Sequence, residues 1–539
     1  MFGKMKYFII FLFVITPLFT QDDNPIPFDI HLNEIQITEL GGLQSFAFAQ
    51  SNKEWLLIGG RLDGLHRRQP WASFSIEGHN DQIIVVNPET NEIWKHPIDA
   101  LQSSLKEQLA STNMEFYQDG DKLIIIGGYG FSEIRNDHYT FDNLTVINVP
   151  ELISSIKTDN SIESSIQQIS NEAFQVSGGK LLKIYDTFYL LGGHKFIGRY
   201  NPMGPDHGPG FEQEYTNSVR KFKLDIQDDN ISVEFLDPYI DELKFHRRDY
   251  NALQQILPDG SEGITMFSGV FQIDDDLPYL SAVNVDSVSY SEQAGFQQLL
   301  NHYHCPAIPL YSNQNNEMYN IFFGGIAQYY YDQGSLIQDD NVPFVKSIAV
   351  VVRDNKNVME EYLLPIQMPD YLGAGSEFIP NTELNHFTNH VLDFDSFSSD
   401  SVFLGYILGG IESSSDNIFF SNTGTQSSAS NRIFKVFLKK KNLSSINYLT
   451  NSNKMNLITY PNPTFDNITI EFELEKVDDV LISIYNSSSQ KMIEKEYKNL
   501  QIGKNQITIN IPKIETGNQF LIIEVKSSND STNSKVILY

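Results

Sequence analysis

Arginines and histidines of this chain gather in a few short stretches. RLDGLHRRQPW brings together Arg61, Asp63, His66, Arg67 and Arg68, with Trp71 at its end. GGHKFIGRYNPMGPDHGPG carries His194, Arg199, Tyr200, Asp206 and His207, and KFHRRDYN carries His246, Arg247, Arg248 and Asp249, followed by Tyr250. NHYHCP adds His302 and His304, and NHFTNH adds His386 and His390. Guanidinium forks suit bidentate capture of carboxylate, sulfate or phosphate, and the aromatic rings beside them suit stacking on sugars or peptide side chains. The candidate ligand-binding set is therefore Arg61, Asp63, His66, Arg67, Arg68, His194, Arg199, His207, Arg247, Arg248, His302 and His304. Its expected ligand is an extracellular glycan or protein. The same arginines also suit pairing with Asp63 and Asp249 to tie loops together, and the sequence supports both uses.

Metal chemistry has less to build on. Asp274–Asp276 and Asp339–Asn341 offer hard oxygens suited to calcium, but neither has the spacing of an EF-hand. No HExxH motif is present, and the expectation is no cofactor, with calcium the one metal left open. Two residues apart, His302 and His304 would face one side of a strand. Cys305 is the sole cysteine. An intrachain disulfide and a zinc site built on several thiolates are thereby excluded, and a buried small hydrophobe is expected. No Ser-His-Asp signature or spaced carboxylate pair stands out.

These stretches flank a repeated element. A short apolar strand runs into a glycine pair at Trp55–Gly60, Leu123–Gly128, Phe188–Gly193, Asn320–Gly325 and Tyr406–Gly410, and into Ser-Gly at Ile264–Gly269. Upstream of each lies another short strand (Met114–Gly120 and Phe174–Lys180 are examples). Downstream, after a variable loop, comes a third: Asp81–Pro88, Asn143–Val149, Ser218–Asp225, Ser281–Val285, Lys346–Val352 and Asn431–Leu438. In the first unit a fourth strand carries Trp94. Units that cannot bury their faces alone must stack, and glycine permits close backbone approach and positive φ at the strand exit. This pattern resembles kelch repeats. The resemblance implies an all-β, six-bladed propeller, with Ser268 a departure in the fourth unit. Alternation in Asp29–Leu40 predicts a strand that completes the last blade, removing an open edge. Helices are expected at Leu101–Ala110 and Glu292–Tyr303. Loops leaving the glycine strands and loops entering each blade would share one rim, where the charged stretches lie, with KFHRRDYN entering the fourth unit, NHYHCP the fifth and NHFTNH the sixth.

The two ends differ from this body. Lys4 and Lys6 precede an apolar run, Tyr7–Val14, with Thr16, Pro17 and Thr20 after it, the arrangement of a signal peptide over residues 1–20. No later stretch is apolar and long enough to span a membrane. Residues 21–445 form the expected propeller and 446–456 a linker. From 457 to 539, YPNP (Tyr460–Pro463) opens a series of alternating strands, Ile468–Leu474, Val480–Asn486, Asn505–Ile511 and Phe520–Val525, expected to form a small β-sandwich. YPNP, the Ile484–Asn486 strand with Gln490 after its turn, Gly503–Asn505, Thr516–Gly517 and the terminal Lys535–Tyr539 strand together resemble the C-terminal sorting domain of type IX secretion cargo from Bacteroidetes. Ser489 stands where that family usually has glycine. The resemblance implies type IX secretion machinery as a partner and a secreted or outer-surface location. A formal charge of −30 argues against nucleic acid and anionic membrane surfaces.

A secreted binding propeller is thus the leading expectation. The alternative is a carbohydrate-active enzyme: sialic-acid mutarotases are six-bladed kelch propellers, and Arg61, Arg247 and Arg248 with Asp63 or Glu212 would suit acid–base work. Galactose-oxidase-like copper chemistry would need tyrosine and histidine ligands around Cys305, and no such motif accompanies it.

Overall fold

Period-two alternation gives this chain its layout. The computed structural model describes residues 25–227, 230–441, 455–460, 464, 467–486, 491–511, 519–528 and 531–538. The expected signal peptide, most of the linker, Pro461–Pro463, Gln490 and Thr516–Gly517 lie outside the described residues. The chain divides into two compact units, Met1–Lys441 and Asn442–Tyr539.

The first unit contains six antiparallel sheets in chain order, each holding one copy of the glycine-ended strand as its second member. In sheet 1, Ala47–Ser51, Glu54–Ile58, Gln82–Asn87 and Glu92–Pro97 pair in succession. Sheets 2, 3 and 4 repeat this order from first strands Glu115–Asp119, Lys180–Ile184 and Asn251–Ile256. Sheet 5 starts from Ala307–Ser312 and gains a fifth strand, Leu392–Asp393, which pairs parallel to it. In sheet 6, Ser376–Pro380, Ser401–Gly409 and Ile433–Lys440 are joined by Phe28–Ile35 from the N-terminal side.

Consecutive sheets share their cores. Ile58 and Val85 of sheet 1 cluster with Leu123 and Ile125 of sheet 2, and the pattern continues around to Leu408 and Ile379 of sheet 6, which cluster with Trp55 and Leu57 of sheet 1. Trp55 meets Tyr406 edge-on at 4.8 Å.

The glycine pairs join the same neighbours through backbone. Gly60 N–H donates to Ser111, Gly128 to Val176, Gly193 to Arg247, Gly269 to His302, Gly325 to Leu372 and Gly410 to Leu43. Each acceptor precedes the first strand of the next sheet, and the sixth bond returns to sheet 1. At Gly410, with φ +90°, an added Cβ would lie 1.9 Å from Ser376 Oγ, so no side chain fits. In the fourth sheet Ser268 adopts φ +54° in place of glycine and donates its hydroxyl to the Tyr279 carbonyl at 2.7 Å.

Helix forms at Ser103–Leu109, inside the expected Leu101–Ala110, and also at Val149–Lys157, which the sequence reading missed. Glu292–Tyr303 is not helical. Gly295 and Asn301 there take positive φ, and the Leu299 and Leu300 amides donate to the Glu361 carboxylate instead of continuing a helix.

The second unit is also all-β. A three-stranded sheet (Ile458–Tyr460, Asn467–Leu474, Gly503–Asn510) and a four-stranded sheet (Lys491–Leu500, Asp478–Tyr485, Gln519–Lys526, Ser531–Leu538) enclose Ile468, Ile470, Phe472, Val480, Ile482 and Ile523. Among the described residues no helix is long and apolar enough to cross a membrane.

Candidate functional site

Every strand exit after a glycine pair opens toward one cavity of about 570 Å3. The residue following each pair shows the construction. Tyr129, His194, Val270, Ile326 and Ile411 line the cavity, whereas Arg61 does not. The exit loops of sheets 2 and 3 stiffen one side by joining in a sheet of their own: Tyr129–Ser132, Asp137–Thr140, His194–Ile197 and Glu212–Tyr215. The segments entering the first strands contribute Asn113, Ser177, Arg248, Asp249 and Tyr303.

Arg68, Asp276 and Asp340 line the cavity, and its one salt-bridged pair among the described residues is Arg248 with Asp249. The guanidinium donates through Nη1 to Asp249 Oδ2 and through Nε to the Tyr215 hydroxyl at 3.1 Å, and lies over the Phe271 ring at 5.0 Å. Asp249 Oδ1 accepts from Asn113 Nδ2 at 3.1 Å. The carboxylate therefore holds two donors already, and its backbone sits at φ +50° with its amide bonded to the Gly178 carbonyl. Burial works against the Arg248 charge, but Tyr215 and Asp249 more than offset it and hold its pKa above the ordinary value.

Two imidazoles on the wall, His66 and His194, are held neutral. Burial pulls His66 down to about 4, and burial together with the Arg248 charge holds His194 well below the ordinary histidine range. The Gln213 amide nitrogen lies 2.7 Å from His194 Nδ1, which makes Nδ1 the acceptor and leaves the ring hydrogen on Nε2. Rings pack around these groups: His66 meets Tyr200 at 4.9 Å and stacks on Phe74 at 5.7 Å, and Phe74 meets Tyr129 at 5.3 Å. Burial raises the Tyr200 and Tyr303 hydroxyls, which stay protonated donors at neutral pH. The arrangement offers aromatic faces for sugar rings or apolar groups and fixed donors for oxygen atoms.

Of the sequence-derived set, His66, Arg68, His194, His207 and Arg248 share this cavity. The others do not line it. Arg61, 2% exposed, forks onto Asp63 (Nε–Oδ1 and Nη2–Oδ2, both 2.6 Å) and donates to the Ser75 carbonyl. Arg247 is fully buried and donates to the carbonyls of Lys244, Ser268 and Ser281. Arg67 is exposed, and Arg199 donates to the Trp71 carbonyl outside the cavity. Tyr250 is buried, its hydroxyl on the Leu191 carbonyl, and Trp71 is 70% exposed away from the cavity, so of the three expected aromatics only Tyr200 lines it.

His302 and His304 lie on no strand and do not share a side. Asn301 takes φ +56°, and His302 is buried between the Gln298 carbonyl and the Gln328 amide, while His304 Nε2 lies 3.0 Å from Glu377 Oε1. His386 and His390 do not enter sheet 6. They follow its first strand, because the connection to the second strand is a long loop and not a tight turn. Cys305 is buried, with Asn251 Nδ2 at 3.3 Å from its sulfur.

Among the described residues, no group of three or more His, Cys, Asp or Glu is placed to hold a metal ion. In the calcium candidates, Asp340 accepts from Gln328 and Gln338, and Asp339 from Asn341.

Sequence reasoning missed Asn113, Phe74, Tyr129, Phe271 and Tyr303. Aligning the repeats on position would have found two of them. Tyr129 occupies the place of His194 after the glycines, and Asn113 stands two residues before its strand, as Asp249 does.

No curated protein matches this chain. The solved structure of YjhT aligns with 72% of this chain and 94% of its own at 10% identity and a TM-score of 0.40, too low to carry an argument about fold or chemistry. Residues 459–539 match the family model for the secretion system C-terminal sorting domain, so the second unit is a type IX sorting domain that directs export to the cell surface or beyond.

Proposed function

We propose that residues 21–445 are a six-bladed, kelch-like propeller and that the exported protein binds an extracellular glycan in its central cup. Support for the propeller comes from the backbone circuit, in which six hydrogen bonds pass from sheet to sheet and the Gly410–Leu43 bond returns to the first. Closure of that kind brings one loop from every sheet to a single cavity.

One observation carries the ligand reading: the cavity is walled by Phe74, Tyr129, Tyr200, Phe271 and Tyr303 around a single salt-bridged pair, Arg248–Asp249. Aromatic faces take the apolar side of a sugar ring, and the guanidinium edge with the His194 Nε2–H takes its oxygens. Binding is the reading favoured at the centre of the cup, where the Asp249 carboxylate already holds Arg248 and Asn113 and where His66 and His194 stay neutral well below pH 7. General acid–base work at neutral pH needs a group that titrates near pH 7.

A glycan array probed with the full exported chain tests the reading. The expected result is selective binding to a small set of saccharides, lost in Phe271→Ala. An array with no binding, or with binding that Phe271→Ala leaves intact, would contradict it.

A further inference from the structure

The cup does not end blindly. Asn113 and Asp249 line both the cup and a neck of about 20 Å3, room for about one water molecule. Met114, Lys180, His304 and Glu377 line that neck and also a second cavity of about 240 Å3 beyond it.

The wall of the second cavity is made by the six first strands. Each supplies a half-buried apolar side chain, Phe48, Phe116, Leu182, Leu253, Pro309 and Phe378, and Leu181, Ala252, Ala307, Ile308 and Pro380 line it as well. Strand alternation explains the ring. Neighbours such as Ala47, Leu181, Ala252 and Ile308 are buried in the cores between sheets, which leaves the more exposed alternate residue toward the axis. All six are only half-buried, so a ring of apolar surface stays accessible to water.

Lys180 stands at the neck end of this ring. Among the described residues its ammonium makes no hydrogen bond and no ion pair within 4 Å, although its charge acts on the buried Glu377 and Glu115 carboxyls; His304 Nε2 lies 3.0 Å from Glu377 Oε1. We propose that the second cavity binds a small amphipathic carboxylate, the Lys180 ammonium taking the carboxylate and the ring of six apolar residues taking an alkyl or aryl tail. This site shares no apolar residue with the cup and stands independently of the glycan reading.

Calorimetric titration of the full chain with octanoate, and separately with octanol, tests the proposal. Octanoate should bind with one-to-one stoichiometry and at least tenfold more tightly than octanol. Lengthening the chain from hexanoate to octanoate should gain about fourfold per methylene, from the ~0.8 kcal/mol that burial of each contributes. Lys180→Met should abolish the preference for the acid, and Phe116→Ala should weaken both probes. Equal affinity of the unmodified chain for octanoate and octanol, absence of octanoate binding, or an affinity unmoved by both substitutions would overturn it. The octanoate-to-octanol ratio is read on the unmodified protein, so the test survives a variant that fails to fold.

Discussion

Arg247 and Arg248 are adjacent in the chain and opposite in setting. Arg247 turns inward, fully buried, and donates to three backbone carbonyls, with no carboxylate partner among the described residues. Arg248 turns to the cup, paired with Asp249 and laid over Phe271. One residue of offset, in a segment that turns at Asp249 (φ +50°) before Asn251–Ile256, separates a structural arginine from one that lines the cup.

That division predicts different outcomes for the two positions. Arg247→Ala should destabilise the chain by about 3 kcal/mol, since it leaves buried carbonyls without donors, while the folded fraction still binds ligand. Arg248→Met should lower ligand affinity at least tenfold. Chemical denaturation and calorimetry on the two variants separate these effects.

The Gly410–Leu43 bond offers a second prediction. Gly410 has φ +90° and Ser376 Oγ would lie 1.9 Å from an added Cβ, whereas Gly41 has nothing within 4 Å of one. Gly410→Ala should cost roughly 3 kcal/mol or more. At Gly41, φ +82° still strains an alanine, so Gly41→Ala should cost about 1 kcal/mol. Thermal melts of the pair would check the difference.

Stability should also respond to pH on two sides. Burial raises the Glu115 carboxyl to about 8, with the Gly179 amide offsetting only part of it. The folded chain thus keeps a proton that the unfolded chain loses near 4.5, and this contribution declines as pH rises from about 4.5 to about 8. His302 behaves oppositely. Burial lowers it to about 4, so its contribution is present above 6.5 and is lost as pH falls toward 4. Between pH 6.5 and 8, then, Glu115 acts without His302, and Glu115→Gln should flatten the decline in melting temperature over that interval. His302→Gln should flatten the acid side.

Export supplies a fourth prediction. Deleting residues 459–539 removes the sorting domain and should leave the body inside the outer membrane, protected from protease added to whole cells. Equal protease sensitivity of the deleted and full-length proteins would contradict that role.

Much of the body was legible because its signals are local. The glycine-ended strands, their downstream partners and the alternating N-terminal strand each announce themselves by period two and a turn residue, and Phe28–Ile35 pairs with Ile433–Lys440 where alternation placed it. The cup was legible only in part. Arg61 and Arg248 look alike as residues near a strand end, and only packing decides that Arg61 forks onto Asp63 while Arg248 reaches the cavity. Phe271 and Tyr303 read as ordinary aromatics until six loops converge. The entry to sheet 6 was misread at NHFTNH because its first strand, Ser376–Pro380, is followed by a long loop, unlike the tight turns of sheets 1 to 3.

The most direct test of the account is calorimetric titration of the saccharide selected by the array into the unmodified chain and into Phe271→Ala and Arg67→Ala. Phe271 lines the cup, while Arg67 is an exposed arginine outside it. The account predicts one site per chain, at least tenfold weaker in Phe271→Ala and unchanged in Arg67→Ala. Unchanged binding in Phe271→Ala, with loss in Arg67→Ala, would move recognition from the cup to the outer loops and contradict it.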